Sequence, residues 1–123
     1  MSENAKFDGA ATVFVVDDIA RASAYYRDVL GFKIAFTYGD GYCGVEHDHV
    51  IIHLFSAAGA KEPAGKGRIY IFIEDVDAYY REVKLKGALK VDEPKDYPYG
   101  MRDFALFDPD GNRLAFGCES KKA

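Results

Sequence analysis

The 123-residue chain has no tryptophan, only two cysteines and three histidines, and no excess of basic residues. Each scarcity removes a class of protein. Cys43 and Cys118 lie far apart and neither belongs to a C-x-x-C pair, so a disulfide-stapled scaffold and a cysteine metal site are disfavoured and two buried thiols are expected. The net charge is -4 with no basic stripe, which makes nucleic acid a poor partner. The same mild acidity aids solubility, and it would also suit a cationic small molecule. No apolar run approaches membrane-spanning length, and residues 1–6 lack an apolar signal core, so no membrane partner and a cytoplasmic location are expected. The few serines, Ser2, Ser23, Ser56 and Ser120, stand in no nucleophile-elbow motif, and Cys43 has no evident activating neighbour.

What is present is an internal repeat. Asp17-Asp18-Ile19 leads into Ala24-Tyr25-Tyr26-Arg27, then Gly31 and Lys33-Ile34. Glu74-Asp75-Val76 leads into Ala78-Tyr79-Tyr80-Arg81, then Gly87 and Lys90-Val91. An apolar run precedes each copy. One repeat cannot bury its own apolar face, and two are too few for a solenoid. The pattern therefore predicts one pseudo-symmetric domain over 1–123, with module one at about 10–56, a linker at 57–66 and module two at about 67–118.

Each module reads β-α-β-β-β. Val-rich or Ile-rich runs predict strands at 10–16 and 68–73, and an acidic cap and helical spacing predict helices ending near Leu30 and Lys86. Gly31 and Gly87 read as helix stops. Further strands are expected at 33–38, 42–46 and 50–55, then near 89–92, 102–107 and 112–118. Asp108-Pro109-Asp110-Gly111-Asn112 is the last hairpin turn, and 95–100 reads as a longer loop. Eight strands and two helices make an α+β fold.

Strand side chains alternate between faces. Ile69, Ile71 and Ile73 oppose Arg68, Tyr70 and Phe72, and Val50, Ile52 and Leu54 oppose Ile51, His53 and Phe55. The aliphatic faces suit packing on helices. The mixed faces suit either a ligand-binding wall or plain core filling, with Arg68 reaching solvent.

The stretch Ala24 to Phe32 (AYYRDVLGF) and the segment Phe104 to Phe116 (FALFDPDGNRLAF) resemble the vicinal oxygen chelate superfamily of glyoxalase I, extradiol dioxygenases, fosfomycin-modifying enzymes and bleomycin-resistance proteins. The resemblance covers about residues 10–118 and implies two βαβββ modules forming an eight-stranded mixed sheet. In the superfamily's enzymes four strand positions supply metal ligands. By motif spacing these fall on Ala11, His53, Arg68 and Ala115. Alanine cannot ligate, and a guanidinium offers no lone pair. His47 and His49 do not rescue the site, because a turn at His47-Asp48 breaks the face relation and His49 lies too far along the strand from His53. No metal, cofactor or catalytic residue is therefore assigned.

Within the superfamily the chain resembles the bleomycin-resistance branch, whose members lack the metal ligands and sequester the drug. Tyr97-Pro98-Tyr99-Gly100-Met101-Arg102-Asp103-Phe104 resembles that branch's pattern of an aromatic, Gly, then Arg-acid-Phe. The resemblance implies a ligand site at Phe36, Tyr42, His53, Arg68, Tyr70, Phe72, Tyr99 and Arg102, with tyrosine or phenylalanine where the family often has tryptophan. Asp40, Glu46 and Asp103 are candidates to attract a cationic tail. The resemblance further implies a homodimer with exchanged strands or modules, its clefts built by both chains, and a bleomycin-like or other planar, cationic natural product as ligand. The alternative is a metal-dependent lyase or dioxygenase with atypical ligands.

Overall fold

The computed structural model describes residues 4–121, so Ser2 lies outside the described residues. The element order is β1 (Thr12–Val16), α1 (Ile19–Asp28), β2 (Lys33–Tyr38), β3 (Tyr42–His47), β4 (Val50–Ser56), α2 (Ala57–Ala60), β5 (Arg68–Phe72), α3 (Val76–Leu85), β6 (Lys95–Asp96), β7 (Met101–Phe107) and β8 (Arg113–Glu119). The eight strands divide into two four-stranded mixed sheets, in the orders β1-β4-β3-β2 and β5-β8-β7-β6. In each sheet the first strand runs parallel to the fourth, and the others pair antiparallel.

The repeat works as matching local chemistry. Asp18 caps α1 by accepting from the Arg21 N–H at 3.1 Å, and Asp75 caps α3 by accepting from the Ala78 N–H at 3.0 Å. Gly31 and Gly87 follow the helices with φ of 81° and 92°, a left-handed conformation that glycine adopts without a Cβ penalty. The first tyrosine of each pair then reaches into the other module. The Tyr25 hydroxyl donates to the Phe107 carbonyl at 2.8 Å, and the Tyr79 hydroxyl donates to the Leu30 carbonyl at 2.6 Å.

Helix α1 packs on β2, β3 and β4, and α3 packs on β7 and β8. The helix-facing strand residues Phe14, Val16, Val45, Ile52 and Leu54 from sheet one, and Ile71, Phe104, Leu106, Leu114 and Phe116 from sheet two, belong to one buried core cluster. Both sheets therefore turn their apolar faces, phenylalanines included, inward and leave the opposite faces outside.

The turn 108–112 fastens the modules together. Asp108, 2% exposed, accepts through Oδ1 from the backbone N–H groups of Asp110, Gly111 and Asn112, and through Oδ2 from the Tyr26 hydroxyl and the Asn112 amide. Asn112 also donates to the Val15 carbonyl and accepts from the Gly67 N–H. Five donors on one buried carboxylate are what a desolvated charge requires.

Two sequence expectations need correction. Residues 89–92 form no strand; a single bridge joins Leu89 to Phe107, and the edge strand is instead β6, inside the segment read as a loop. Asp92 spends its side chain on the Ala105 N–H at 2.7 Å, and a positive φ of 49° at Lys90 breaks the extended backbone. The segment 57–66 opens with the short helix α2, capped by Ser56.

Candidate functional site

The outer face of sheet one carries an aromatic group. Phe36 projects from β2, Tyr42 from β3, and His53 and Phe55 from β4. The register sets Gly44 between Phe36 and His53. A Cβ at Gly44 would collide with the Phe36 ring, so glycine is what lets that ring lie across β3. The Phe36 ring then meets His53 edge-on at 5.2 Å and stacks near Tyr42 at 6.3 Å. The Tyr42 hydroxyl and His53 Nδ1 are hydrogen-bonded at 2.8 Å, which fixes the imidazole orientation. Phe55, absent from the expected site, closes the group against Tyr42 at 5.1 Å. Strand parity alone places Phe55 beside His53, so the signal was present.

The outer face of sheet two repeats the device. Tyr70 and Phe72 project from β5 with their rings 5.3 Å apart. Gly117 on β8 is bare beneath Tyr70, where a Cβ would strike the phenol. The ring lies across β8, and its hydroxyl donates to Asp103 Oδ2 on β7 at 2.8 Å. Tyr99 donates to the same oxygen at 2.8 Å, and its ring stacks on Tyr97 at 5.3 Å with an interplanar angle of 8°. Burial, and then the bond to Asp103, push the Tyr70 phenol well above its ordinary value. The bond to Asp103 pushes Tyr99 up to about 12. Both phenols therefore remain donors at neutral pH.

The structure thus gathers Phe36, Tyr42 and His53 on one outer face, and Tyr70, Phe72 and Tyr99 on the other. Among the described residues no hydrogen bond or ring contact joins the two groups. Tyr70 and Phe72 line a groove of about 540 Å³ with Ala11, Ile51 and Ile69, where β5 approaches β1 and β4. A second groove of about 590 Å³ lies between the β3–β4 turn and the start of α3, lined by His47, His49, Phe72 and Tyr79 among others.

Arg68 opens β5, exposed, in register with Arg113. Arg102 projects to the opposite face from Tyr70. Its guanidinium makes two bonds to Asp77 on α3, at 2.9 and 2.8 Å, and lies 3.5 Å from Asp96. The alternation of β7 carries the signal, because Arg102 shares parity with the buried Phe104 and Leu106 and not with Asp103. Of the acids, Asp40 is exposed in the β2–β3 turn and Glu46 is half-buried opposite Lys33.

The positions that would ligate a metal place exposed Ala11 before β1, half-buried His53 on β4, Arg68 at the start of β5 and buried Ala115 on β8. They offer one donor. Among the described residues no group of three His, Cys, Asp or Glu could hold a metal ion. Among the described residues no helix is long and apolar enough to cross a membrane.

Comparison with known proteins agrees with this architecture. Bleomycin resistance proteins of Geobacillus stearothermophilus and Staphylococcus aureus are 31% identical to the chain over 118 residues, covering 82% of it and 89% of their own length. The bleomycin-binding protein of bleomycin-producing Streptomyces verticillus, crystallised with copper(II)-bleomycin, matches with a TM-score of 0.78 at 25% identity, over 92% of this chain and 97% of that one. An antibiotic-binding protein from Streptomyces sp. CB03234 matches with a TM-score of 0.81 at 26% identity, over 96% of this chain and 100% of that one. The family model matches residues 10–116, and the chain belongs to the glyoxalase/bleomycin resistance protein/dioxygenase superfamily.

Proposed function

We propose that the protein binds a planar, cationic antibiotic of the bleomycin type and sequesters it without turnover or metal. The observation that carries this reading is the pair of outer aromatic faces. Phe36 is 42% exposed, Tyr70 39%, Phe72 76% and Tyr99 63%. Large aromatics held in fixed orientations yet open to water are suited to stacking on a planar ligand, at about 0.5–1.5 kcal/mol per good pair beyond area burial. The bleomycin-binding relatives support the ligand class.

Each face is half of a cleft, so the reading includes a homodimer in which the sheet-one face of one protomer opposes the sheet-two face of its partner. Exposed apolar faces of this kind are what an interface covers. Phe36, Tyr42, His53, Tyr70, Phe72 and Tyr99 line the proposed cleft, with Arg68 at its rim and Arg102 outside it. We place the protein in the cytoplasm, where the free thiols of Cys43 and Cys118 would stay reduced.

A thermal-shift titration tests the reading, with metal-free and copper-loaded bleomycin against divalent metals alone. Binding to the native state should raise the melting temperature with ligand concentration, by about 2.7 kcal/mol of stability at 100 times Kd. Tyr70→Ala and Tyr99→Ala should each weaken binding while the fold survives. A rise with metals alone would overturn the reading in favour of a metal-dependent enzyme.

A further inference from the structure

Asp103 differs from Asp108 and Asp77 in the partners its carboxylate is given. It is 9% exposed on the outer face of sheet two, opposite Gly117 in the β7–β8 ladder. Its Oδ2 takes both tyrosine hydroxyls, Tyr70 from β5 and Tyr99 from the turn before β7, each at 2.8 Å. Its Oδ1 accepts no hydrogen bond from the described residues, yet it is not sealed from solvent. No ion pair among the described residues reaches this carboxylate. Asp108 shows what a structural carboxylate at similar depth looks like here, with donors on both oxygens. Asp77 shows the other solution, an arginine fork.

A carboxylate removed from most of its water and given only neutral donors on one oxygen is costly unless a cation completes it. The two phenols hold the group in one orientation. We propose that Asp103, oriented by Tyr70 and Tyr99, is the recognition point for a cationic nitrogen of the ligand, an ammonium or amidinium group that donates to Oδ1. This inference rests on the binding function proposed above and makes that site selective for cationic over neutral or anionic planar molecules.

The test is a calorimetric comparison of three probes: bleomycin, bleomycinic acid, in which a carboxylate replaces the cationic terminal group, and bleomycin acetylated at its primary amine. The wild-type protein should lose about tenfold or more in affinity for one of the two derivatives, as expected for a charge-assisted hydrogen bond. In Asp103→Asn, which keeps an oxygen for the two phenols, that loss should vanish, because protein and ligand changes remove the same interaction. Tyr99→Phe keeps the ring but removes one donor, and should shrink the discrimination between the same two probes. No loss in the wild type, or equal losses in wild type and variant, overturns the subsite and leaves the binding function standing. Failure of the wild type to bind bleomycin at all overturns the binding function itself.

Discussion

Two glycines decide what the outer faces can present. Gly44 and Gly117 are strand residues with no side chain, positions where glycine ordinarily weakens a sheet. Here each clears the space that an aromatic ring occupies, Phe36 in one case and Tyr70 in the other. Gly44→Ala should therefore displace the Phe36 ring from His53. Strand propensity offsets part of the strain, so stability should change by less than about 1–2 kcal/mol. Affinity for bleomycin should fall about two- to tenfold, from the lost stacking geometry. Thermal denaturation with and without ligand separates the two effects. A buried hydroxyl makes a contrasting case. Tyr26→Phe removes a donor from Asp108 Oδ2, 2.9 Å away inside the core, and should cost about 1–3 kcal/mol in urea denaturation with no change in ligand affinity.

At the level of elements, β7 serves two surfaces at once. Asp103 faces outward to Tyr70 and Tyr99, and its neighbour Arg102 faces α3 and β6 through Asp77 and Asp96. The short motif Gly100-Met101-Arg102-Asp103-Phe104 thus joins a brace, a candidate recognition group and a core ring in consecutive positions. Arg102→Ala should lower stability by about 0.5–1 kcal/mol, since the pair is partly open to solvent, and leave ligand affinity unchanged. The bond from Arg102 holds the Asp77 carboxyl below its usual range. The pair's contribution is accordingly present at neutral pH and disappears as acid protonates Asp77, so wild type and variant should converge in acid. A loss of ligand affinity in a stably folded Arg102→Ala would place the guanidinium in the cleft instead.

Across the whole molecule, the modules are joined by the 108–112 turn, whose Asp110 reaches back to module one. Its Oδ1 accepts from the Asp17 N–H at 3.0 Å and from Arg21 at 3.2 Å, and its buried Oδ2 has no hydrogen-bond partner among the described residues. Burial raises the Asp110 carboxyl above its ordinary 3.8, against the opposing pull of the Asp17 N–H. A group raised on folding contributes stability that is complete below the unfolded value and is lost as pH climbs through the folded one. Asp110→Asn, neutral at every pH, should therefore gain stability relative to wild type as pH rises from about 3 to 7. Urea denaturation across that range checks it, and a flat difference would contradict the burial argument.

The sequence alone determined the two-module plan, because the repeat, the caps at Asp18 and Asp75, the glycine stops and the alternating strands are signals that neighbouring residues carry. Parity also made legible the shared face of Tyr70 and Phe72 and that of His53 and Phe55, while Phe36, Tyr42 and Tyr99 came from the resemblance. Tertiary structure decided the rest. Whether Arg102 meets a ligand or Asp77 depends on a helix 25 residues away, and no spacing encodes that pairing. The edge strand at Lys95–Asp96 depends on Asp92 turning its side chain into the ladder. The convergence of Tyr70 and Tyr99 on one oxygen of Asp103 needs β5, β8 and β7 side by side with nothing at Gly117, a juxtaposition created by strand order and not by sequence distance. Local chemistry makes the elements; only their packing makes a face that can recognise another molecule.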